Sequence, residues 1–296
     1  MVEGVWFNMS NLSVLRVKSV QETLNLLAET DVTSKLLSGG VSITLQIRNG
    51  NLTCDRLIDI SGVEELKSIQ PVQINGKTFY QIGAGLSLSH VAKNSELKSK
   101  FPGLVSVIKT SSDPARLNAF TLGGLLTVKR NTGNLFPALA VLEAVIQVQN
   151  TDGEKLIPIM EWLTQVKKES SGLITAILLP DQSQTGWLVK EVKRRQMPGE
   201  LIAGVVLCSV KDQNDVQSDL RLASVVDQFG VQRWTAIEEK INQAVAANDS
   251  FHSIMNDFDV QLQLRWGDGL DAQYRRQVLT ALITRGLQEM IGSGEE

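Results

Sequence analysis

Leu37-Ser38-Gly39-Gly40-Val41-Ser42 and, further on, Thr121-Leu122-Gly123-Gly124-Leu125 are the two stretches on which the reading of this chain turns. Each leaves an apolar, strand-like run and enters a new element. A glycine pair at such a corner exposes consecutive backbone N–H groups with no Cβ in the way, which suits a pyrophosphate or another extended anion. Two such corners suggest one ligand gripped twice. A lone Gly-Gly is far more often only a tight turn, and neither doublet has a P-loop lysine or GxGxxG spacing beside it. The surroundings of the doublets therefore decide what they mean.

The chain has 296 residues, 43% of them hydrophobic and 21% charged, with 7 prolines, as expected of about two folded domains. A net charge of -3 and a pI near 5.6 argue against a nucleic-acid binder, which needs a basic surface. The one basic run is Lys190-Glu191-Val192-Lys193-Arg194-Arg195. No stretch approaches the roughly 20 apolar residues of a membrane span, and the N-terminus lacks the pattern of a signal peptide, so a cytoplasmic protein is expected. Cys54 and Cys208 cannot form a CxxC motif. Neither His90 nor His252 has a second ligand at metal-binding spacing, so no metal site is expected and both read as solvated helix residues. No His–carboxylate or Ser–His pairing suggests a catalytic group.

Helix and strand signals alternate along the chain. Ser19-Val20-Gln21-Glu22 is a capping box, and Val20, Leu24 and Leu27 follow at helical spacing, predicting a helix over about 20–29. Leu57 to Ile60 and Tyr80 to Gly85 read as short buried strands, and Ser87 to Lys98 as a helix opened by a serine cap. Pro102 opens a helix that ends before the loop Ser111-Ser112-Asp113-Pro114. A helix is predicted over Phe136 to Ala144, then a hairpin of Val145 to Gln149 with Lys155 to Ile157 through a turn at Asp152-Gly153. The polar stretch Asp181 to Gly186 has the form of a linker. Beyond it, Trp187 to Arg194, Leu201 to Val210 and Asp219 to Val226 read as three strands, and Ala236 to Asn248 and Ala272 to Ile291 as two helices. Three antiparallel strands with helices on one face is the economical arrangement.

Taken in order, Ser38-Gly39-Gly40, Leu57-Ile58-Asp59-Ile60 with Glu65-Leu66, Ile82-Gly83-Ala84-Gly85, Thr121-Leu122-Gly123-Gly124, Pro137-Ala138-Leu139 and Leu173 to Ala176 ending at Pro180 resemble the FAD-binding medium subunit of the molybdenum hydroxylases. That family includes carbon monoxide dehydrogenase and xanthine dehydrogenase. Asp219 to Ala223 and Tyr274-Arg275-Arg276 are similar to its C-terminal domain. The resemblance implies an α+β fold: a two-lobed FAD-binding domain of the vanillyl-alcohol oxidase type over 1–182, with lobes at about 1–62 and 63–182, and a C-terminal domain over 183–296 carrying the three-stranded antiparallel sheet and helices. It further implies noncovalent FAD, held by Ser38, Gly39, Gly40, Val41, Ser42 and Ile43 on one side and by Thr121, Gly123 and Gly124 on the other. Asn134 falls where the family usually has an aspartate, Ile174 where a hydrophobic residue meets the flavin, and Lys190 where a lysine approaches it. Lys190 reads equally as a solvated strand residue. The implied partners are a [2Fe-2S] small subunit and a molybdopterin large subunit, from which electrons reach FAD and then an acceptor such as NAD or oxygen.

Departures from the family pattern bear on the cofactor. Val41 and Ser42 replace a threonine and an aspartate, Leu125 replaces a side-chain donor, and Lys129 and Arg130 stand at small-residue positions. Each lost hydrogen bond to a buried ligand group would cost on the order of 1 to 3 kcal/mol. Lys129 and Arg130 either pair with the pyrophosphate or face solvent. Restoring Leu125→Asn and Asn134→Asp is expected to tighten FAD. A flavin-free scaffold subunit of the same fold is the alternative, and a stand-alone FAD oxidoreductase is disfavoured because no substrate site of its own is visible.

Overall fold

The computed structural model describes residues 12–127, 133–165, 172–194, 201–211, 219–247 and 249–291. The chain begins with β1 (Ser13–Arg16), α1 (Val20–Leu27), β2 (Ser34–Leu37), α2 (Val41–Arg48) and β3 (Arg56–Asp59). A 3₁₀ turn over Glu64–Lys67 leads into β4 (Ile69–Ile74) and β5 (Lys77–Gly83). Six short helices follow: α3 (Leu88–Lys93), α4 (Ser95–Lys100), α5 (Pro102–Ser111), α6 (Pro114–Ala119), α7 (Leu122–Leu126) and α8 (Leu135–Val141). Then come β6 (Val145–Asn150), β7 (Gly153–Pro158), α9 (Ile159–Gln165) and β8 (Leu173–Pro180). The last elements are β9 (Ser183–Lys193), β10 (Leu201–Lys211), β11 (Asp219–Val226), β12 (Gly230–Arg233), α10 (Thr235–Ala247), α11 (His252–Trp266) and α12 (Leu270–Ile291).

Two compact units divide the chain, each built from separate stretches: 1–94, 112–129 and 145–180 in the first, 95–111, 130–144 and 181–296 in the second. Within the first unit, β1, β3 and β2 form a parallel sheet with β3 in the middle. Leu57 and Ile58 of that strand are almost fully buried. Helix α1 forms as its capping box predicts: the Ser19 hydroxyl accepts from the Glu22 N–H at 3.1 Å, and the Glu22 carboxylate accepts from the Lys18 N–H at 2.9 Å. Its Val20 and Leu24 join Val17, Ile58, Val63 and Leu66 in a shared core. Burying one such aliphatic side chain stabilises the fold by roughly 1.5–3 kcal/mol.

The first unit also holds a five-stranded antiparallel sheet in the order β4-β5-β8-β6-β7. The β6–β7 hairpin pairs as the Asp152-Gly153 turn predicts. A second hairpin, β4–β5, turns at Asn75 and Gly76, both with positive φ (49° and 76°), the backbone that fits the twist of a two-residue connection. Helix α3 is capped by Ser87, but Asn94 takes an extended conformation and divides the predicted helix into α3 and α4. Asp113 does not lie in an open loop: its carboxylate accepts from the Arg116 N–H at 2.9 Å and caps α6.

The second unit carries a four-stranded antiparallel sheet, β12-β11-β10-β9, in place of the three strands expected. Ser183 to Gly186 belong to β9, an edge strand paired with β10, and are not a linker. Three helices follow the sheet, not two, because α11 stands between the predicted pair. Helices lie on both faces of the sheet, not on one alone. Ala203, Val205 and Leu207 of β10 pack with Ile241, Phe258, Leu279, Ile283 and Leu287 of the three helices. On the opposite face, by strand alternation, a Cβ on Gly204 would lie 1.9 Å from Asn134 Oδ1 at the start of α8. Helix α8 is buried at every residue and accepts hydrogen bonds at its C-terminal end from Arg221 (to Val141 O, 3.1 Å) and Arg233 (to Ala140 O, 3.2 Å). A sheet so buried on both faces explains the near-continuous apolar run of β10.

Candidate functional site

The first glycine corner joins β2 to α2. Gly40 is the residue before α2 and adopts φ 77°, a left-handed conformation that glycine enters without strain. The N–H groups of Gly39, Gly40, Val41, Ser42 and Ile43 find no acceptor among the described residues, whereas Thr44 N–H closes the first helical bond to Gly40 O at 2.8 Å. A row of free donors at a helix start carries the positive end of the helix dipole, which favours an anion. Gly39 is glycine for another reason: a Cβ there would lie 1.8 Å from Ala119 O.

The second doublet is built differently. It does not leave a strand; it lies inside α7, capped by Thr121, whose hydroxyl accepts from the Gly124 N–H at 3.2 Å. Leu122 N–H donates to Leu86 O at 2.9 Å, Gly123 N–H to Ala84 O at 2.8 Å, and Leu125 N–H to Thr121 O at 3.0 Å. The N–H groups of Gly123 and Gly124, expected to grip a ligand from this side, are thus bonded within the protein. A Cβ on Gly123 would come within 2.8 Å of Ala84 Cβ, so this glycine lets α7 press against the end of β5.

Both corners line one cavity of about 660 Å³, contained within the first unit. Ser38, Gly39, Gly40, Val41, Ser42 and Ile43 form one side, Thr121, Gly123 and Gly124 another, and Ile174 of β8 a third. Leu36, Ile60, Leu173 and Trp162 add apolar wall, the Trp162 indole N–H being fixed to Leu126 O at 3.1 Å. A second cavity of about 710 Å³, lined by Ser61, Glu64, Lys67, His90 and Asn118, shares Ser38, Gly39, Ala119 and Thr121 with the first. His90 is exposed on α3, as expected of it.

Lys35, Gln46 and Trp162 are wall residues that the sequence did not single out. Lys35 Nζ donates to Gln46 Oε1 at 2.9 Å, and Gln46 Nε2 donates to Ser42 Oγ at 3.2 Å. The available signal was one cation inside a short apolar strand.

Asn134 and Lys190 belong to the second unit. Asn134 Nδ2 donates to Glu191 Oε2 at 2.9 Å, and its buried Oδ1 finds no partner among the described residues. Lys190 forms an ion pair with Glu289 of α12. Leu125 is 4% exposed and packed in the core, so an asparagine there would bury an amide. Lys129, Arg130, Arg195 and the side chain of His252 lie outside the described residues. Burial pushes the Cys54 thiol up from its ordinary value, an effect that nearby Lys35 partly offsets. Among the described helices, none is long and apolar enough to cross a membrane.

A family model described as the FAD binding domain in molybdopterin dehydrogenase matches residues 8–182, a span that contains both corners and every residue lining the two cavities. The glyceraldehyde dehydrogenase medium chain of Sulfolobus acidocaldarius is 23% identical over 281 residues, covering 94% of this chain and 98% of that one. The xanthine dehydrogenase FAD-binding subunit of Escherichia coli O157:H7 is 23% identical over 239 residues, covering 79% of this chain and 78% of its own. In fold, the chain is similar to carbon monoxide dehydrogenase from Hydrogenophaga pseudoflava, with a TM-score of 0.70 at 20% identity, over 93% of this chain and 95% of that one.

Proposed function

The chain belongs to the family of FAD-binding domains of the molybdopterin dehydrogenases, and from that membership we propose that it is the flavoprotein subunit of a molybdenum hydroxylase-type complex, passing electrons from [2Fe-2S] clusters through FAD to an acceptor such as NAD or oxygen. FAD is its cofactor, and the chain is an oxidoreductase subunit. The fit to FAD rests on one observation: five consecutive N–H groups, from Gly39 to Ile43, lack an acceptor among the described residues, on a stretch lining two cavities that share wall residues.

Bound FAD supplies the redox chemistry, since it accepts electrons singly or in pairs. The residues of the chain have a narrower task. The corner before α2 holds the diphosphate by backbone donors, which a change of side chain at Val41 or Ser42 leaves in place. Apolar walls at Leu36, Ile60, Ile174 and Trp162 exclude water from the aromatic part of the ligand. No proton transfer is asked of this chain. The implied partners are a [2Fe-2S] small subunit and a molybdopterin large subunit, in keeping with relatives named as a medium chain and as a subunit of a dehydrogenase complex.

Gentle purification from the native host tests this reading. The expected result is a yellow protein with flavin absorbance that co-elutes with iron and molybdenum. A free, colourless chain that takes up no added FAD would overturn it.

A further inference from the structure

Among the described residues lining the first cavity, Lys35 is the one cation, and its ammonium is held by a neutral amide, Gln46 Oε1 at 2.9 Å. The other charged residue among the described ones on that wall is Asp152. Lys35 makes no ion pair among the described residues. A lysine tethered to an amide keeps its full charge for a ligand, whereas one bonded to a carboxylate has most of it cancelled.

The tether also points along α2. Gln46 reaches back one helical turn to Ser42 Oγ at 3.2 Å, so Lys35, Gln46 and Ser42 form a polar line on the cavity wall that ends among the free N–H groups of the first corner. Those N–H groups carry partial positive charge only, about half a unit for the helix end as a whole. A diphosphate carries two negative charges. In the second corner the N–H groups of Leu122 to Leu125 are all bonded within the protein, and Lys35 is the full positive charge that the described wall offers a diphosphate.

Building on the assignment of FAD to this cavity, we propose that Lys35, positioned by Gln46, is the counter-ion of the diphosphate and the residue by which the pocket selects a dinucleotide over a flavin that lacks phosphate. Rotation about the lysine stem moves the ammonium from Gln46 to a phosphate oxygen and replaces a neutral acceptor with a charged one. The contribution is ionic, so it falls with added salt.

Titrations of FAD and of riboflavin, followed by quenching of flavin fluorescence at low and high salt, test this on the apoprotein of wild type, Lys35→Met, Lys35→Arg and Gln46→Leu. Circular dichroism checks that each variant is folded. Lys35→Met is expected to weaken FAD about tenfold at low salt, to flatten the salt dependence and to leave riboflavin unchanged. Lys35→Arg should restore most of the FAD affinity, and Gln46→Leu should fall between the two. Equal FAD affinity in wild type and folded Lys35→Met overturns the role of Lys35 while leaving FAD in the cavity. A parallel loss for riboflavin also overturns it, because the lysine would then shape the pocket without reading the phosphates. Should Lys35→Met fail to fold, the salt dependence of wild type against Lys35→Arg and Gln46→Leu decides, since a salt-independent wild type refutes the counter-ion. No FAD binding by wild type would instead bring down the flavoprotein reading itself.

Discussion

Replacing Gly39 with alanine should show that the packing role of the first corner and its ligand-binding role are coupled. Gly39 has no positive φ, so alanine adds no backbone strain there; it adds a Cβ 1.8 Å from Ala119 O. Contacts of this kind are essentially never seen below 3.0 Å, so the two backbones must part by about 1.2 Å. Neither atom is the end of a flexible side chain, and Ala119, the last residue of α6, is followed within two positions by Thr121, the cap of α7. Overpacking of this order costs about 1–3 kcal/mol, a Tm shift of roughly 2–4 °C per kcal/mol in a chain of this size. Gly40→Ala is the matched control. A Cβ there meets nothing nearer than 3.7 Å, but the φ of 77° adds about 1–2 kcal/mol of left-handed strain. Urea unfolding and FAD titration of both variants make the comparison. Gly39→Ala is expected to lose stability and FAD affinity together, because the free N–H row shifts with the backbone. An alanine variant at residue 39 with wild-type Tm and wild-type FAD affinity would refute the close approach to Ala119.

Two further predictions follow from the second unit. Asn134→Asp, the family-like change, should not help: it sets a carboxylate against Glu191 Oε2, now 2.9 Å from the amide nitrogen, and costs about 1–3 kcal/mol near neutral pH. Two facing carboxylates favour a proton in the folded state more than in the unfolded chain. The penalty is therefore absent below the ordinary carboxylate range near pH 4 and grows as pH rises through it; a gap in Tm between variant and wild type that is equal at pH 4 and pH 8 would contradict this. The Cys208 thiol, fully buried and pushed up to about 12 by burial, should resist a thiol reagent at pH 8 until urea unfolds the chain, while partly exposed Cys54 reacts in the native state. Labelling of two thiols in the folded protein would exclude the buried placement.

Local chemistry made much of the first unit legible. The Ser19–Glu22 box, the Asp152-Gly153 turn and the Ser38-Gly39-Gly40 corner each rest on residues within a few positions of one another, and all three form as read. Pro71 hid β4, since a proline reads as a break within a strand; the structure places that strand at the edge of its sheet, where a missing N–H costs nothing. Helix α11 was obscured because Val260 and Leu264 are exposed beside the buried Met255, Phe258 and Leu262, which blurs the 3.6-residue period. The second doublet misled for a different reason. Whether the Gly123 N–H is free or spent depends on Ala84, far back along the chain at the end of β5, and no local pattern reports that. The same holds for Asn134 and Lys190, whose partners Glu191 and Glu289 lie 57 and 99 positions along the chain.

The interleaving of the second unit bears on how the chain emerges from a ribosome. Helix α8 is made before β10, β11 and β12, yet its buried residues and its last carbonyl groups wait for that sheet, with Arg221 and Arg233 arriving 80 and 93 positions later. During that interval a wholly apolar segment, Leu135-Phe136-Pro137-Ala138-Leu139-Ala140-Val141, has α5 to pack against but not the sheet that covers the rest of it. The nascent protein should accordingly depend on chaperones until its final third is synthesised. A fragment stopped after residue 182 keeps both cavities in its sequence but also keeps this bare segment, so it should collect in inclusion bodies when the whole chain does not.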